Sequence, residues 1–301
     1  MTQRLTLQTA FLLTVPPLMW AGNAVVGRLV RDDIPPITLN LLRWLLAFVI
    51  LLPLAAWVLR GASGMWSHWR RFAILGLLGV SLYNVLQYMA LQTSSALNAT
   101  LVASSLPLWM LWFGALFFDT RATRPQLLGA AFSIAGVAIV LARGEWAELL
   151  QLRLVAGDLF MLAATACWAG YSWLLTRRAE PAKVRADWAA FLLAQVSFGL
   201  LWSALLAGGE WALTDAQIHW NWTLMAALLF VAVGPAVLAY RCFGLGVQRV
   251  GPALAGFFTN LTPLFTALLS GALLGELPQA YHALAFALIV AGIVVSSRRQ
   301  A

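Results

Sequence analysis

Residues 36–59 read PITLNLLRWLLAFVILLPLAAWVL, twenty-four residues with a single charge, Arg43. A helix needs about 20 apolar residues to cross the hydrocarbon of a bilayer, so this stretch predicts a membrane span. Working outward, apolar runs of similar length recur at 8–30, 70–92, 95–118, 124–143, 154–177, 187–207, 221–245, 251–274 and 279–297. The longest polar connections, 144–153, 178–186 and 208–220, are too short for a soluble domain. The expectation is an all-α integral membrane protein of ten transmembrane helices. Composition agrees: 62% of the 301 residues are hydrophobic and 10% charged, against about 25% charged in a soluble domain.

The formal net charge of +8 does not point to nucleic acid, because the basic residues fall in short loops between apolar runs. With the N-terminus inside, fourteen of the nineteen Lys and Arg residues fall on the inner side and four on the outer side. Arg43 is the remaining one. This asymmetry puts both termini in the cytoplasm, and an even number of spans requires the same. Trp57, Trp66, Trp69, Trp146, Trp188, Trp211, Trp220 and Trp222 fall at span ends, where amphipathic rings prefer the interface. Cys167 and Cys242 lie in apolar runs and read as packing residues, with no metal spacing or disulfide framework. The first run, interrupted by Pro16, Pro17, Trp20 and Asn23, reads as a span and not as a removable signal peptide.

An internal repeat then emerges. Trp20-Ala21-Gly22-Asn23 aligns with Trp168-Ala169-Gly170-Tyr171 at an offset of 148, and Pro107 with Pro263 at an offset of 156. The second offset also pairs Gln92 with Gln248, Thr120 with Glu276 and Gly136 with Gly292. The chain divides into 1–153 and 154–301, five spans each. Five is odd, so the second half enters the membrane upside down. Inverted repeats characterise secondary transporters, whose substrate sites lie near the midplane between the halves.

The sequence resembles the EamA-type exporters of the drug/metabolite transporter superfamily. Pro263-Leu264-Phe265, Leu273-Leu274-Gly275-Glu276 and Ala291-Gly292-Ile293-Val294 carry the likeness in the second half. Pro107-Leu108, Gly129-Ala130 and Ala135-Gly136-Val137 carry it in the first. Arg43 matches an arginine usual near the start of that family's second span. The pattern is most similar to bacterial exporters of aromatic amino acids. The resemblance covers essentially the whole chain. It implies efflux of amino acids and related metabolites across a bacterial cytoplasmic membrane.

Polar side chains inside apolar spans usually turn inward. Tyr83, Asn84, Gln87 and Tyr88 in the third span share a face about 140° wide at 100° per residue. They line a wet pocket or glue helices together. Trp20 and Asn23 share a face of the first span with Pro16. Trp168 and Tyr171 cluster with Ser172 in the sixth, and Trp109 follows Pro107. For the tryptophans the alternative is core packing. Pro107 and Pro263 remove hydrogen bonds to the carbonyls of Ala103 and Thr259, which predicts kinks that act as hinges. Thr259 and Asn260, with Thr262, stand beside the second kink and bind solute or satisfy the broken helix. Arg43 is expected to snorkel outward, to pair with Asp32 or Asp33, or to attract a substrate carboxylate. Ala131 and Ala135, and Ala283, Ala287 and Ala291, read as close-packing stripes within a monomer or across a homodimer.

None of the eleven acids falls at mid-span, and His68, His219 and His282 lie near span ends. Carboxylate-based proton coupling is therefore not expected. No nucleophile–base pair, metal cluster or phosphate loop suggests an enzyme, a cofactor or a metal. The expected function is export of neutral amino acids, aromatic ones included, by alternating access. Its partners would be a small-molecule substrate and the lipid bilayer. A carrier of nucleosides, sugars or cationic drugs is an alternative, and a non-transporting scaffold or sensor is an alternative of a different class.

Overall fold

The structure is a computed structural model that describes residues 5–94, 96–141, 155–274 and 280–297. Within them every regular element is helical. Among the described residues, six helices are long and apolar enough to cross a membrane: Leu7–Leu29, Pro36–Leu59, Trp66–Thr93, Trp188–Leu213, Trp222–Val250 and Pro252–Leu273. Leu106–Phe117 and Ala283–Ser296 are shorter apolar helices. Their outward side chains, such as Phe11, Leu205 and Leu229, are exposed, as a lipid-facing surface requires.

Elements are numbered by regular segments. α1 is Leu7–Leu29 and α2 Pro36–Ala55, which continues as a 3₁₀ turn to Leu59. The next span comprises α3 (Trp69–Leu75), a π-helical stretch (Gly76–Leu82) and α4 (Tyr83–Thr93). Then come α5 (Ala96–Ala103), α6 (Leu106–Phe117), α7 (Arg124–Leu141) and α8 (Ala156–Leu174). A short α9 (Ala182–Ala186) leads into α10 (Trp188–Leu213). α11 (Trp222–Val231), a second π stretch (Ala232–Leu238) and α12 (Ala239–Val250) follow. α13 (Pro252–Thr259), α14 (Thr262–Leu274) and α15 (Ala280–Ser297) complete the chain. Polar caps set several starts. Thr6 accepts from the Thr9 amide, Asp187 from those of Ala189 and Ala190, and Asn221 from that of Leu224. Each satisfies donors that the first turn leaves free.

Three expectations change. The prolines break their helices instead of kinking them: Ser104 and Ser105 separate α5 from α6, and Asn260 and Leu261 separate α13 from α14. Each proline lacks the N–H that would carry the ladder across and crowds the carbonyl four residues before it, and Ser104, Ser105 and Asn260 are weak helix formers. Second, α10 runs on to Leu213, so the connection expected at 208–220 begins later. Glu210, in the last turn of α10, accepts from the amides of Ile37 and Thr38 at 2.9 and 2.8 Å and from the Thr38 hydroxyl at 2.7 Å. It caps α2, which starts at a proline with no side-chain cap of its own. Third, of the alanine stripes, Ala131, Ala135, Ala283 and Ala287 face outward and Ala291 is half-buried, which rules out close packing of the first four within the monomer. The surface joining α7 to α15 is built instead from Gly129, Ser133, Gly136, Ala285, Ile289 and Gly292. A Cβ at either Gly129 or Gly292 would come within 2.6 Å of the other's carbonyl oxygen. Gly292→Val is therefore expected to cost about 1–3 kcal/mol by overpacking, read as a lower apparent Tm of the detergent-purified protein. An unchanged Tm would show that these helices do not meet there.

Arg4, Arg143, Trp146, Arg153, Glu145, Glu148, Gly275, Glu276, Arg298 and Arg299 lie outside the described residues, as does the connection 144–153. Among described elements the offset of 156 is carried by the backbone as well. The π stretch at Gly76–Leu82 is followed by one at Ala232–Leu238, α5 by α13, and α7 by α15, each displaced by that number at both ends. Packing repeats too: α1 lies against α12, α13 and α14, while α8 lies against α4, α5 and α6.

Candidate functional site

The helix breaks come together with α1, α4 and α8. Trp20, Tyr83, Gln87 and Trp168 wall one side of a buried cavity. Thr100, Ala103 and Leu106 from the first break, Thr259 and Thr262 from the second, and Thr165 from α8 close the other. The free space, about 20 Å³, holds one or two waters. An amino acid would enter only if the walls part.

Aromatic packing makes those walls. Trp168 is the hub: its ring lies 5.0 Å from Trp20, 4.7 Å from Tyr83, 4.9 Å from Tyr171, 5.2 Å from Tyr240 and 5.1 Å from Phe243. The Trp20 indole donates to the carbonyl of Pro235 in the second π stretch at 3.3 Å. The Trp168 indole N–H is buried and has no partner among the described residues. The hydroxyls of Thr165 and Thr259 are turned back to the carbonyls of Met161 and Gly256, so these threonines present their methyl and chain atoms more than free donors.

The four polar residues of the third span divide. Tyr83 and Gln87 reach the cavity, whereas Asn84 and Tyr88 face Arg43. Arg43 neither snorkels nor pairs with an acid. It is fully buried and donates to Asn84 Oδ1 at 2.7 Å, to the Tyr88 hydroxyl at 3.2 Å and to Asn23 Oδ1 at 3.5 Å. Its guanidinium also lies 5.2 Å from the Trp44 ring. Asp32 is paired with Arg31, and Asp33 accepts from Asn221. The expected pairing fails because Asp32 is largely exposed just beyond the end of α1, whereas Arg43 is buried against Asn84 and Tyr88. Tyr88 donates to Asn23 Oδ1 at 2.7 Å, and Asn23 Nδ2 donates to Gln87 Oε1 at 3.1 Å. Arg43 is thus one relay from the cavity.

Of the other sequence candidates, Tyr171 supports Trp168 from below, against Gly79. Trp109 lies away from the cavity, its ring 5.9 Å from that of Trp112. Asn260 is buried at the second break, with both side-chain polar atoms unpartnered among the described residues. Pro107 and Pro263 stand one residue inside α6 and α14. Sequence reasoning missed Tyr240, which donates to the Gly79 carbonyl and receives from Asn84 at 3.1 Å. The offset pairs Tyr240 with Asn84, and that pairing was the available signal. No group of three or more His, Cys, Asp or Glu side chains among the described residues could hold a metal ion.

The EamA-like transporter family model matches twice, at residues 7–142 and 155–298. An uncharacterized transporter of Archaeoglobus fulgidus is 25% identical over 293 residues, covering 97% of this chain and 98% of that one. The aromatic amino acid exporter YddG of Ancylobacter novellus is 27% identical over 241 residues, covering 80% and 78%. A probable amino-acid metabolite efflux pump of Salmonella typhimurium is 25% identical over 297 residues, covering 95% and 93%. One solved crystal structure superposes with a TM-score of 0.71 at 22% identity over 96% of each chain, which establishes the likeness of fold. With both halves matched, this chain belongs to the EamA-like transporter family of the drug/metabolite transporter superfamily.

Proposed function

We propose that the chain exports neutral amino acids, aromatic ones included, across a bacterial cytoplasmic membrane by alternating access between two inverted five-helix repeats, 1–153 and 154–301. The observation that carries the reading is the cavity where both helix breaks meet two indoles, a phenol and an amide. Rings can sandwich an aromatic or aliphatic side chain, while interrupted backbone and Gln87 offer polar groups to its head. The paired displacements of 156, and two relatives named for amino-acid export, support the same reading. Ten spans with both termini cytoplasmic complete it.

A cavity too small for an amino acid implies that the halves move. The interrupted helices and the two π stretches are the places where helical hydrogen bonding is already broken or loosened, so bending there is least costly.

The test is flux of phenylalanine and leucine in proteoliposomes. Gln87→Ala is expected to lower flux about tenfold or more with Tm nearly unchanged. Trp168→Phe, chosen because alanine would open the ring cluster and cost about 3–5 kcal/mol, is expected to alter selectivity among aromatic substrates. Absence of flux with any amino acid would sink the reading in favour of another solute or a non-transporting role. No carboxylate coupling site is proposed, so substrate should equilibrate without an ion gradient; accumulation abolished by a protonophore would count against that part. Orientation is checked separately. A cysteine replacing the exposed Asp215 should react with an impermeant reagent from the periplasmic side, and labelling only from the cytoplasmic side would reverse it.

A further inference from the structure

Arg43 is a buried cation for which the ion pairs among the described residues supply no carboxylate. Its Nε and Nη2 also lack partners there. A guanidinium donates and never accepts. Every group that faces it must therefore present oxygen, and this fixes the orientation of each amide around it. Asn84 turns Oδ1 to Arg43 and points its Nδ2 toward the carbonyls of Gly79 and Val80 and the Tyr240 hydroxyl, which share its two hydrogens. Tyr88 accepts from Arg43 on its oxygen and sends its proton to Asn23 Oδ1. Asn23, with its oxygen committed to Tyr88 and Arg43, has only Nδ2 to offer Gln87, whose Oε1 accepts it.

The polarity then reaches the cavity. With Oε1 held by Asn23, the Gln87 side that remains is the Nε2 amide, and it makes no hydrogen bond within the described residues. Gln87 is one of the cavity walls. On the same side Trp168 is also a wall and carries an indole N–H with no partner among the described residues. The wall therefore offers donors backed by a fixed positive charge and no compensating acid. The ligand group that fits is an anionic acceptor.

We propose that Gln87, oriented through Asn23 by Arg43, is the specificity-determining residue of the cavity and selects substrates that carry a carboxylate. The proposal rests on reading the cavity as the substrate site, and names the part of the substrate that this wall recognises. Gln87 touches the ligand; Arg43 and Asn23 are positioning residues. The chemistry requires a carboxylate, and an α-amino group is not part of it.

Three ligands of one shape separate the terms: phenylalanine, 3-phenylpropionate (carboxylate without the amine) and phenylalaninol (amine without the carboxylate). Their binding to the purified protein in detergent is measured by calorimetry, which avoids leakage of phenylalaninol through liposomes. Phenylalanine and 3-phenylpropionate are expected to bind at least about tenfold more tightly than phenylalaninol. Gln87→Met, similar in size but without donors, is expected to erase that difference while leaving phenylalaninol within about threefold. Gln87→Glu, which turns acceptors and negative charge to the cavity, is expected to reverse the preference. Equal binding of phenylalanine and phenylalaninol by the native chain overturns the proposal. So does a Gln87→Met variant that weakens all ligands alike with an unchanged Tm, or absence of binding by all three. Tight binding of 3-phenylpropionate with no amino-acid flux would leave the donor wall standing and remove the amino-acid reading alone.

Discussion

Glu180→Ala is expected to lower the stability of the detergent-solubilised protein by about 3–5 kcal/mol, the usual cost of removing one partner from a buried ionic group. The Glu180 side chain is wholly buried between two arginines that are themselves 11% and 14% exposed. Arg71 donates to it at 3.0 Å and also to the carbonyls of Leu174 and Arg177. Arg185 donates to the other carboxylate oxygen and to the carbonyl of Leu175. One carboxylate thus holds the segment after α8 against the start of the third span. Without it, two guanidiniums are left facing the same point with little water to screen them. The Arg31–Asp32 pair is a built-in control, since its acid is 87% exposed. Asp32→Ala should cost no more than about 1 kcal/mol. Equal melting of Glu180→Ala and the native chain in a chemical-denaturation series would refute the clamp.

Much of this architecture was legible in the sequence because a bilayer leaves few options. Long apolar runs must be helical there, so composition alone identifies the class. The site was partly legible for a related reason. Polar residues such as Gln87 and Tyr83 are costly on an apolar helix, so their presence marks an inward face. What the spacing of Tyr83, Asn84, Gln87 and Tyr88 cannot reveal is what stands opposite. A face about 140° wide meets more than one neighbour, and here Asn84 and Tyr88 meet Arg43 while Gln87 and Tyr83 meet the cavity. The same ambiguity left the alanine stripes open between a monomer face and a dimer face. Exposed Ala283 and buried Ala285 differ only in which side of α15 touches α7. Glycine was the better guide, because Gly129, Gly136 and Gly292 permit the approach of the two backbones. Asn260, with Thr259 and Thr262, was read as a neighbour of the second kink; that the ladder is interrupted there, and at Ser104–Ser105 before Pro107, is not encoded in spacing.

Arg43→Met is expected to separate function from stability in the opposite sense to Glu180→Ala. A charge at bilayer depth costs about 2.5–3.5 kcal/mol on insertion scales. Against that stand the hydrogen bonds to Asn84 at 2.7 Å and Tyr88 at 3.2 Å, worth about 1.5–3 kcal/mol each for a charged donor. The contact with Asn23 at 3.5 Å is too long to add much. Two such bonds sum to about 3–6 kcal/mol, so the opposing terms leave a net change below about 3.5 kcal/mol. Transport of carboxylate-bearing substrates should respond far more. Once the donor-only group is gone, Asn84, Tyr88 and Asn23 can turn, and Gln87 can present oxygen to the cavity. Losing one charge-backed donor at about 1.5–3 kcal/mol corresponds to roughly a tenfold to hundredfold fall in flux. Arg43→Lys should be intermediate, because a point ammonium keeps the charge but cannot span Asn84, Tyr88 and Asn23 as a planar fork does. Flux per folded molecule and Tm measured on the same preparations decide the matter. Native flux in Arg43→Met, or a collapse of Tm with flux per folded molecule unchanged, would make Arg43 a structural residue and leave Gln87 to be oriented by Asn23 and Tyr88 alone.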